Sequence, residues 1–172
     1  MEAAIKFCPN CKSNRVAFDR VKKYSCATCG WVFFQNTAAA VAGILEFDGK
    51  ILAVERNREP GCGLLDFPGG FVDPDESAEE ALIREIKEEL GVEIEDIRYL
   101  CSAPNDYRYK EIDYTTCDIF FTAKLPTNVF IVEHSEIAGY KWLRPEELDP
   151  AGFAFKSMRR AIQSYKNKII GV

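Results

Sequence analysis

Residues Gly70–Val92 read GFVDPDESAEEALIREIKEELGV, and this stretch decides the fold of the chain. Ser77 is followed three residues later by Glu80, a capping-box pattern that begins a helix, and Gly91 is placed to end it. We therefore predict a helix over about residues 77–90. At 100° per residue, one sector of this helix is apolar and is expected to pack on the core; its members are Leu82, Ile83, Ile86 and Leu90.

An adjacent sector of the predicted helix is acidic. Glu85, Glu88 and Glu89 are spaced i, i+3, i+4, so their carboxylates converge and repel one another unless a cation neutralises them. Hard oxygen ligands of this kind suit Mg²⁺ or Mn²⁺. Arg84 lies four residues before Glu88 and is placed to hold its carboxylate. The alternative is a solvated helix face. The paired glycines Gly69–Gly70 favour a ligand site instead, because glycine lets the backbone approach a ligand closely.

The stretch resembles the signature of the Nudix hydrolases, G-x5-E-x7-R-E-U-x-E-E-x-G-U, where U is a bulky aliphatic residue. The resemblance implies that Glu85, Glu88 and Glu89 bind the catalytic Mg²⁺ or Mn²⁺, with the Gly70 carbonyl and Glu76 as further metal ligands. It also implies cleavage of a pyrophosphate between a nucleotide and a second group, since such cations neutralise the diphosphate and activate the attacking water. The match holds at nine fixed positions: Gly70, Glu76, Arg84, Glu85, Ile86, Glu88, Glu89, Gly91 and Val92.

The general base is expected on a loop after this stretch, as in many members of the family. Glu136, which directly precedes an apolar segment, is the first candidate, and Glu133 is the second. The alternative for each is an exposed acidic loop residue. His134 lies between them and is interpreted as a loop residue within reach of phosphate or ribose; as the only histidine, it excludes a histidine-rich metal site.

Four of the seven cysteines form two C-x-x-C pairs with fourteen residues between them. This spacing is typical of a zinc ribbon, in which four thiolates bind tetrahedral Zn²⁺, and it predicts such a ribbon over residues 1–34. Disulfides and a redox motif are the alternatives. The ligands would be Cys8, Cys11, Cys26 and Cys29, whereas Cys62, Cys101 and Cys117 match no ligand spacing. The aromatic residues Trp31, Phe33 and Phe34 are expected to pack on the following domain.

Residues 36–172 are expected to form one domain with an α/β fold. Apolar runs predict strands over 37–47, 50–56, 92–101, 114–125 and 137–143 and a final amphipathic helix over 155–168. Asp48-Gly49 is a strong hairpin turn between the first two strands. This order resembles the Nudix α/β/α sandwich, a mixed sheet between helices, here preceded by a zinc ribbon.

A ribbon followed by a Nudix domain resembles the NADH pyrophosphatases. Their S-Q-P-W-P-F-P segment corresponds to Ser102–Tyr107, which keeps serine and proline but not glutamine or tryptophan. Tyr107 and Tyr109 are candidate substrate-binding residues, because a nucleobase or nicotinamide ring needs a flat partner; ordinary strand or loop tyrosines are the alternative. NAD(H), ADP-ribose, other nucleoside diphosphate sugars, dinucleoside polyphosphates, flavin dinucleotides and a nucleotide cap on RNA all remain open as substrates.

The composition limits the classes of molecule that the protein is expected to bind. A net charge of −5 over 172 residues does not indicate a general nucleic-acid binder or a membrane-surface protein, so a small nucleotide is the expected partner. The start of the chain lacks a signal-peptide pattern, which leads us to expect a cytoplasmic protein. The family resemblance also implies a homodimer. The alternative function is a nucleotide-sensing regulator whose ribbon binds nucleic acid or protein, but the complete set of carboxylates favours an enzyme.

Overall fold

The computed structural model describes residues 4–110 and 112–170, apart from the side chains of Tyr109 and Ile170. Its first part is a three-stranded antiparallel sheet, ordered β1-β2-β3, built from β1 (Val16–Phe18), β2 (Lys23–Cys26) and β3 (Val32–Phe34). Cys8 and Cys11 lie before β1, whereas Cys26 ends β2 and Cys29 follows it. The sheet therefore brings the pairs together, as a ribbon requires.

A mixed six-stranded sheet forms the centre of the remaining chain. Its order is β6-β5-β4-β8-β7, and β9 pairs with β5. β4 and β8 run parallel, whereas the other pairs are antiparallel. The strands are β4 (Ala38–Phe47), β5 (Lys50–Arg56), β6 (Leu65–Asp66), β7 (Glu95–Tyr109), β8 (Ile112–Lys124) and β9 (Ile137–Leu143).

Two helices cover the two faces of this sheet. α1 (Ala78–Leu90) contributes Leu82, Ile86 and Leu90 to one core cluster, and α2 (Lys156–Ile170) contributes to a second cluster. Each cluster contains its own set of strand side chains, because successive side chains point to opposite faces of a sheet. The predicted α/β/α sandwich with a mixed sheet is thus confirmed. The face of α2 predicted from its spacing is buried too: Met158, Ala161, Ile162 and Tyr165.

The ends of α1 form as predicted. The Ser77 side chain accepts a hydrogen bond from the Glu80 amide, the Glu80 side chain accepts one from the Ser77 amide, and Gly91 adopts a left-handed conformation with φ 69°. The prediction for Ile83 is wrong, because its side chain is 43% exposed. Ile83 lies about 100° around the helix from Leu82, at the edge of the buried strip.

Two further expectations are corrected. β7 begins at Glu95 and continues to Tyr109 instead of ending at Cys101, so Ser102–Tyr107 lies within a strand. Its polar residues gave no strand signal; pairing with β8 over its whole length, from Glu95 opposite Lys124 to Tyr109 opposite Ile112, supplies the missing backbone hydrogen bonds. The expected packing of the ribbon aromatics is also wrong, because Phe33 and Phe34 are 43% and 48% exposed and Trp31 stacks on Phe33 instead.

Within the described residues, none of the helices has the length and apolar character needed to cross a membrane.

Candidate active site

The two glycines before α1 let the chain approach the helix carboxylates. Gly69 has φ 148°, and a Cβ there would lie 2.1 Å from the Val41 carbonyl oxygen, so only glycine fits. The Gly69 amide donates a hydrogen bond of 3.0 Å to Glu89 Oε2. At Gly70 a Cβ would lie 2.4 Å from Glu85 Oε1. The missing side chain of Gly70 therefore leaves room for the Glu85 carboxylate, while Gly69 lets the loop lie against β4 with its amide on Glu89.

The same loop is held on β4 by backbone hydrogen bonds. The Gly70 carbonyl, a predicted metal ligand, accepts a hydrogen bond of 2.8 Å from the Val41 amide, and the Pro68 carbonyl accepts one of 2.9 Å from Gly43. A carbonyl oxygen has two lone pairs, so Gly70 keeps one for another partner. The loop position is thus set by the central sheet.

Arg84 ties the acidic residues together. Its Nε and Nη2 donate to the two carboxylate oxygens of Glu76 at 2.7 and 3.0 Å, and its Nη1 donates to Glu85 at 2.9 Å and to Glu88 at 3.3 Å. The predicted contact with Glu88 is present, but the contact with Glu76 has the better geometry. The Arg84 hydrogen bonds lower the pKa of Glu76 and keep it charged.

The three predicted catalytic carboxylates occupy different environments. Glu89 lies within the buried part of α1, and burial raises its pKa to about 8 against the opposing effect of the Gly69 hydrogen bond. Burial also raises the pKa of Glu85, whereas the Glu88 side chain is 61% exposed. Charged Arg84 lies between Glu85 and Glu88. The sequence predicted all three on one sector of the helix. In the structure Glu89 is buried, Glu85 is half-buried and Glu88 is exposed.

The candidate general bases lie on the loop before β9. Glu136 Oε2 pairs with Arg58 Nη2 at 2.7 Å, while the Glu133 carboxylate accepts a hydrogen bond from the Ser135 amide, which lowers its pKa. Burial is the largest cause of the raised pKa of Glu85 and of Glu89, and the negative charge of Glu136 is a smaller one. Glu136 is therefore electrostatically coupled to the helix carboxylates.

The backbone joins this loop to α1 and to the end of β5. The Glu133 amide donates a hydrogen bond of 2.9 Å to the Glu89 carbonyl. The His134 carbonyl accepts one of 2.8 Å from the Asn57 side chain. The loop that carries both candidate bases is consequently fixed beside the acidic residues.

A cavity adjoins the glycine loop on the side facing α2. Tyr107 lines it and meets the ring of Phe71 edge-on at 5.5 Å and the ring of Phe155 at 5.8 Å. The structure thus places the predicted substrate-binding Tyr107 beside the glycine loop. The prediction for Tyr109 falls on a side chain outside the described residues.

Sequence analysis missed four of the polar residues that line this cavity: Arg56, Asp66, Asn105 and Asp118. They come from four different strands, so no single motif joins all of them. Asp118 was nevertheless detectable, since it directly precedes the apolar residues Ile119–Phe121 of β8, and an acidic residue buried with them requires a polar partner. Its oxygens accept hydrogen bonds from the hydroxyls of Thr116 and Ser157 at 2.6 and 2.5 Å.

Arg56 and Asp66 form a buried pair in the cavity. Arg56 Nη1 donates to Asp66 Oδ2 at 2.7 Å, its Nε donates to the Pro60 carbonyl, and its guanidinium lies 4.8 Å from the centre of the Phe155 ring. Burial raises the pKa of Asp66 to about 6 although Arg56 opposes the shift.

The predicted zinc ligands lie together. The sulfur atoms of Cys8, Cys11, Cys26 and Cys29 are all within 4.8 Å of one another, and in the described part of the chain they are the one group of three or more metal-ligating side chains this close. The Cys8–Cys29 and Cys11–Cys26 sulfur distances are both 3.7 Å. Tetrahedral Zn²⁺ with its usual bond lengths separates two sulfurs by ~3.8 Å, so the cluster is compatible with zinc.

Comparisons with known proteins bear on the whole chain. An ADP-ribose pyrophosphatase from Methanocaldococcus jannaschii is 49% identical over 59 residues, 34% of this chain and 35% of the relative. An NAD-capped RNA hydrolase NudC from Pseudomonas fluorescens is 24% identical over 166 residues, 96% of this chain and 58% of the relative. The chain therefore spans about a third to three-fifths of the length of these curated relatives.

A solved structure has the same fold over nearly the full length. The crystal structure of a Nudix hydrolase from Nitrosomonas europaea superposes with a TM-score of 0.76 and 22% identity, covering 97% of this chain and 94% of the other. The model of the NUDIX domain matches residues 35–165. Because this match covers well over half of the chain and includes the glycine loop, α1 and the cavity, the chain belongs to the Nudix family.

Proposed function

We propose that this chain is a metal-dependent hydrolase that cleaves the pyrophosphate bond of a nucleoside diphosphate linked to another moiety. The observation that carries the proposal is the approach of the glycine loop to the α1 carboxylates. Gly70 leaves room for Glu85, Gly69 binds Glu89, and Arg84 orients Glu76 and Glu85. An acidic face that only met solvent would need none of these contacts.

The oxygen donors of this site suit Mg²⁺ or Mn²⁺. Glu85, Glu88 and Glu89 are the proposed ligands, with Glu76 and the free lone pair of the Gly70 carbonyl as further donors. When bound, such a cation neutralises diphosphate charge and lowers the pKa of a coordinated water. Arg84 would hold its carboxylate partners in place, and Glu136 would accept the proton of the attacking water as general base.

NAD(H) and ADP-ribose are the first candidate substrates. Two relatives carry the names NAD-capped RNA hydrolase and ADP-ribose pyrophosphatase, and both names imply a nucleoside diphosphate. Tyr107, with Phe71 and Phe155, offers the flat partners that an aromatic ring of either substrate needs. The side chain of Tyr109 is proposed as a second contact.

We further propose two domains, a zinc ribbon over residues 1–34 and the hydrolase domain over 36–172. Four sulfurs at the spacing of tetrahedral Zn²⁺ support the ribbon. The amides of Cys29 and Thr28 point at the Cys26 sulfur and lower its pKa to about 6, which favours the thiolate that zinc requires. Because zinc thiolates need reducing conditions, the proposed setting is the cytoplasm.

The deciding experiment is a product assay with Mg²⁺ or Mn²⁺. NADH, NAD, ADP-ribose, diadenosine polyphosphates and FAD are offered separately, and the products are resolved by chromatography. We expect AMP together with the second phosphorylated product from at least one of them. Fastest turnover of NADH would support the NADH pyrophosphatase resemblance, whereas a preference for ADP-ribose would retain the chemistry and reject that substrate.

A second candidate function is a nucleotide-sensing regulator whose ribbon binds nucleic acid or protein. The charge distribution favours it: residues 1–35 carry six Lys or Arg against two acidic residues, whereas residues 36–172 carry 16 against 25. Basic side chains beside exposed aromatic rings, here Phe33 and Phe34, suit single-stranded nucleic acid. No turnover of any substrate, with the cation bound, would favour this function over hydrolysis.

A further inference from the structure

The final helix is basic in a chain that is acidic overall. α2 contains no acidic residue in its 15 residues, although the whole chain has a net charge of −5. Its cations are Lys156, Arg159, Arg160, Lys166 and Lys168. The net charge therefore hides an uneven distribution, in which this one helix attracts a polyanion while the remainder of the hydrolase domain repels it.

Three of these cations lie on the outward side of α2. Lys156, Arg159 and Arg160 are exposed, and their spacing of i, i+3 and i+4 puts them on one face, opposite the residues that pack on the sheet. Lys156 pairs with Asp106. Arg159 and Arg160 form no hydrogen bond or ion pair with any described residue. Two guanidinium groups are thus available to a ligand, and their planar forks suit phosphate.

A groove along β7, the outer strand of the sheet, reaches one of these guanidinium groups. It has a volume of about 550 Å³, and the residues of the glycine loop do not line it. Arg160 lines it together with three hydroxyl residues: Thr37, Ser102 and Thr115. Asp106 lines it too but is paired with Lys156. Arginine and Ser or Thr hydroxyls bind phosphate oxygens in nucleic-acid complexes, so the groove suits a sugar-phosphate backbone.

An exposed aromatic ring lies close to this groove. Phe34 is 48% exposed and lies directly opposite Lys23 in the ribbon sheet. Thr37 follows Phe34 by three residues, so at most ~11 Å of extended chain separates the ring from the groove. Cations, hydroxyl groups and an exposed ring together suit a single nucleic-acid strand, because its unpaired bases stack on aromatic rings while its phosphates bind cations.

The same features disfavour two other polyanionic partners. A helix that binds a membrane surface inserts its apolar face, but Met158, Ala161 and Ile162 of α2 are buried in the core. A nucleic-acid duplex keeps its bases stacked on one another, so it offers no free base to Phe34. A single strand uses both the cations and the ring.

We propose that the outward face of α2 and the groove beside β7 bind a single nucleic-acid strand. Arg159 and Arg160 contact its phosphates, and Phe34 stacks on one of its bases. This inference goes beyond the regulator hypothesis, which placed a nucleic-acid contact on the ribbon alone. It is also independent of the proposed hydrolysis, because none of these three residues belongs to the proposed metal site.

The test measures how the full chain binds a fluorescently labelled oligouridylate of about 15 nucleotides, by anisotropy and without added Mg²⁺ or Mn²⁺. The wild type should bind this strand at least about tenfold more tightly than a duplex of the same length. The double variant Arg159→Gln/Arg160→Gln should bind about tenfold or more weakly at low salt. The slope of log Kd against log salt should fall by about 1.4, since each phosphate contact to a single strand contributes about 0.7.

The matched control is Lys50→Gln/Lys141→Gln, which removes the same charge from exposed positions on β5 and β9, on the other side of β4 from β7. It should leave both the affinity and the salt slope unchanged. Phe34→Ala should weaken binding about tenfold without changing the slope, and its zinc content checks that the ribbon is intact. If the double arginine variant does not fold, ultraviolet cross-linking of the wild type to the oligouridylate should label α2 and residues 31–37.

The outcomes decide the inference and separate it from the proposed function. An equal loss of affinity in the arginine and lysine double variants would overturn it, because net charge alone would then explain binding. Absence of binding by the wild type, tighter binding of the duplex, or cross-links confined to other segments would overturn it too. Strand binding without hydrolysis of any offered pyrophosphate would retain the surface and reject the enzyme, and hydrolysis without strand binding would do the reverse.

Discussion

Arg84 and Glu76 form a two-point ion pair, with Nε to Oε1 at 2.7 Å and Nη2 to Oε2 at 3.0 Å. Glu76 precedes the helix and Arg84 lies on its second turn, so the pair fastens the loop to α1. The same guanidinium also contacts Glu85 and Glu88. Arg84 is thus a positioning residue for the proposed metal ligands, and its role depends on the planar fork of the guanidinium.

Replacing Arg84 with lysine should lower turnover about 10- to 100-fold, because lysine keeps the positive charge but cannot bond both oxygens of Glu76 while also reaching Glu85. The affinity for Mn²⁺, measured by titration calorimetry, should fall with turnover while circular dichroism stays unchanged. The matched control is Lys87→Met, which removes a cation from an exposed pair on the same helix. Unchanged metal affinity in Arg84→Lys would contradict the positioning role.

Glu88→Gln and Glu89→Gln should each reduce turnover by orders of magnitude and leave the fold intact. Glutamine keeps the size of each side chain but removes the charge that binds a cation. In Glu89→Gln the Gly69 amide can still donate to the remaining side-chain oxygen, so the loop should remain in place. Glu79→Gln, on the exposed first turn of α1, is the control. Near-normal activity in either variant would remove the metal-site assignment.

Glu136→Gln should lower kcat more than Glu133→Gln does. The charge of Glu136 acts on Glu85 and Glu89, whereas the Glu133 carboxylate is engaged by the Ser135 amide. The acidic limb of the pH–rate profile should disappear in Glu136→Gln, because that limb reports the general base. Loss of the acidic limb of the pH–rate profile in Glu133→Gln alone would assign the general base to Glu133.

Removing zinc should loosen residues 1–34 without unfolding the sandwich. Metal analysis is expected to find zinc in the wild type and a background level in Cys29→Ser. Limited proteolysis of the chelated protein should cut first in the ribbon, because the small three-stranded sheet has little core of its own. Cys62→Ser, an exposed cysteine outside the ribbon, should retain zinc. Wild-type protein purified without chelator and free of zinc would refute the ribbon.

Asp66 should make stability depend on pH between about 4 and 6. Its pKa rises from 3.8 to about 6 on folding, so the native state binds more protons than the unfolded state in this window. The free energy of unfolding should therefore fall as pH rises through the window, by up to roughly 3 kcal/mol. Urea denaturation across this pH range should show that the free energy of unfolding depends less steeply on pH in Asp66→Asn than in the wild type. The exposed Asp75→Asn should keep the wild-type slope, and an equal slope in both variants would contradict the prediction.

Much of the fold followed from local features of the chain. The bounds of α1 came from Ser77, Glu80 and Gly91, and β5 and β9 came from apolar runs with the predicted limits. The Asp48-Gly49 turn has positive φ at both residues, as its sequence indicated. Caps, turns and periodicity act within a few residues, which is why sequence alone was sufficient for them.

The polar extension of β7 could not be predicted from local sequence features. Residues Ser102–Tyr107 contain proline, asparagine and aspartate, which disfavour a strand by themselves. Pairing with β8 overrides this preference, because the partner strand satisfies the backbone groups. Ile83 illustrates the same limit on α1, since helical spacing defines a sector but only the packed sheet decides where burial stops.

The sequence by itself determined the α/β class, the acidic helix after two glycines and the paired cysteines, because each depends on residues close together in the chain. Only the tertiary structure placed Arg56, Asp66, Asn105 and Asp118 around one cavity. These residues lie on β5, β6, β7 and β8, and their meeting depends on strand order and register. Burial, which raises the pKa of Asp66 and leaves Arg56 Nη2 without a partner among the described residues, is likewise a property of the packed sheet and α2 and not of any local segment.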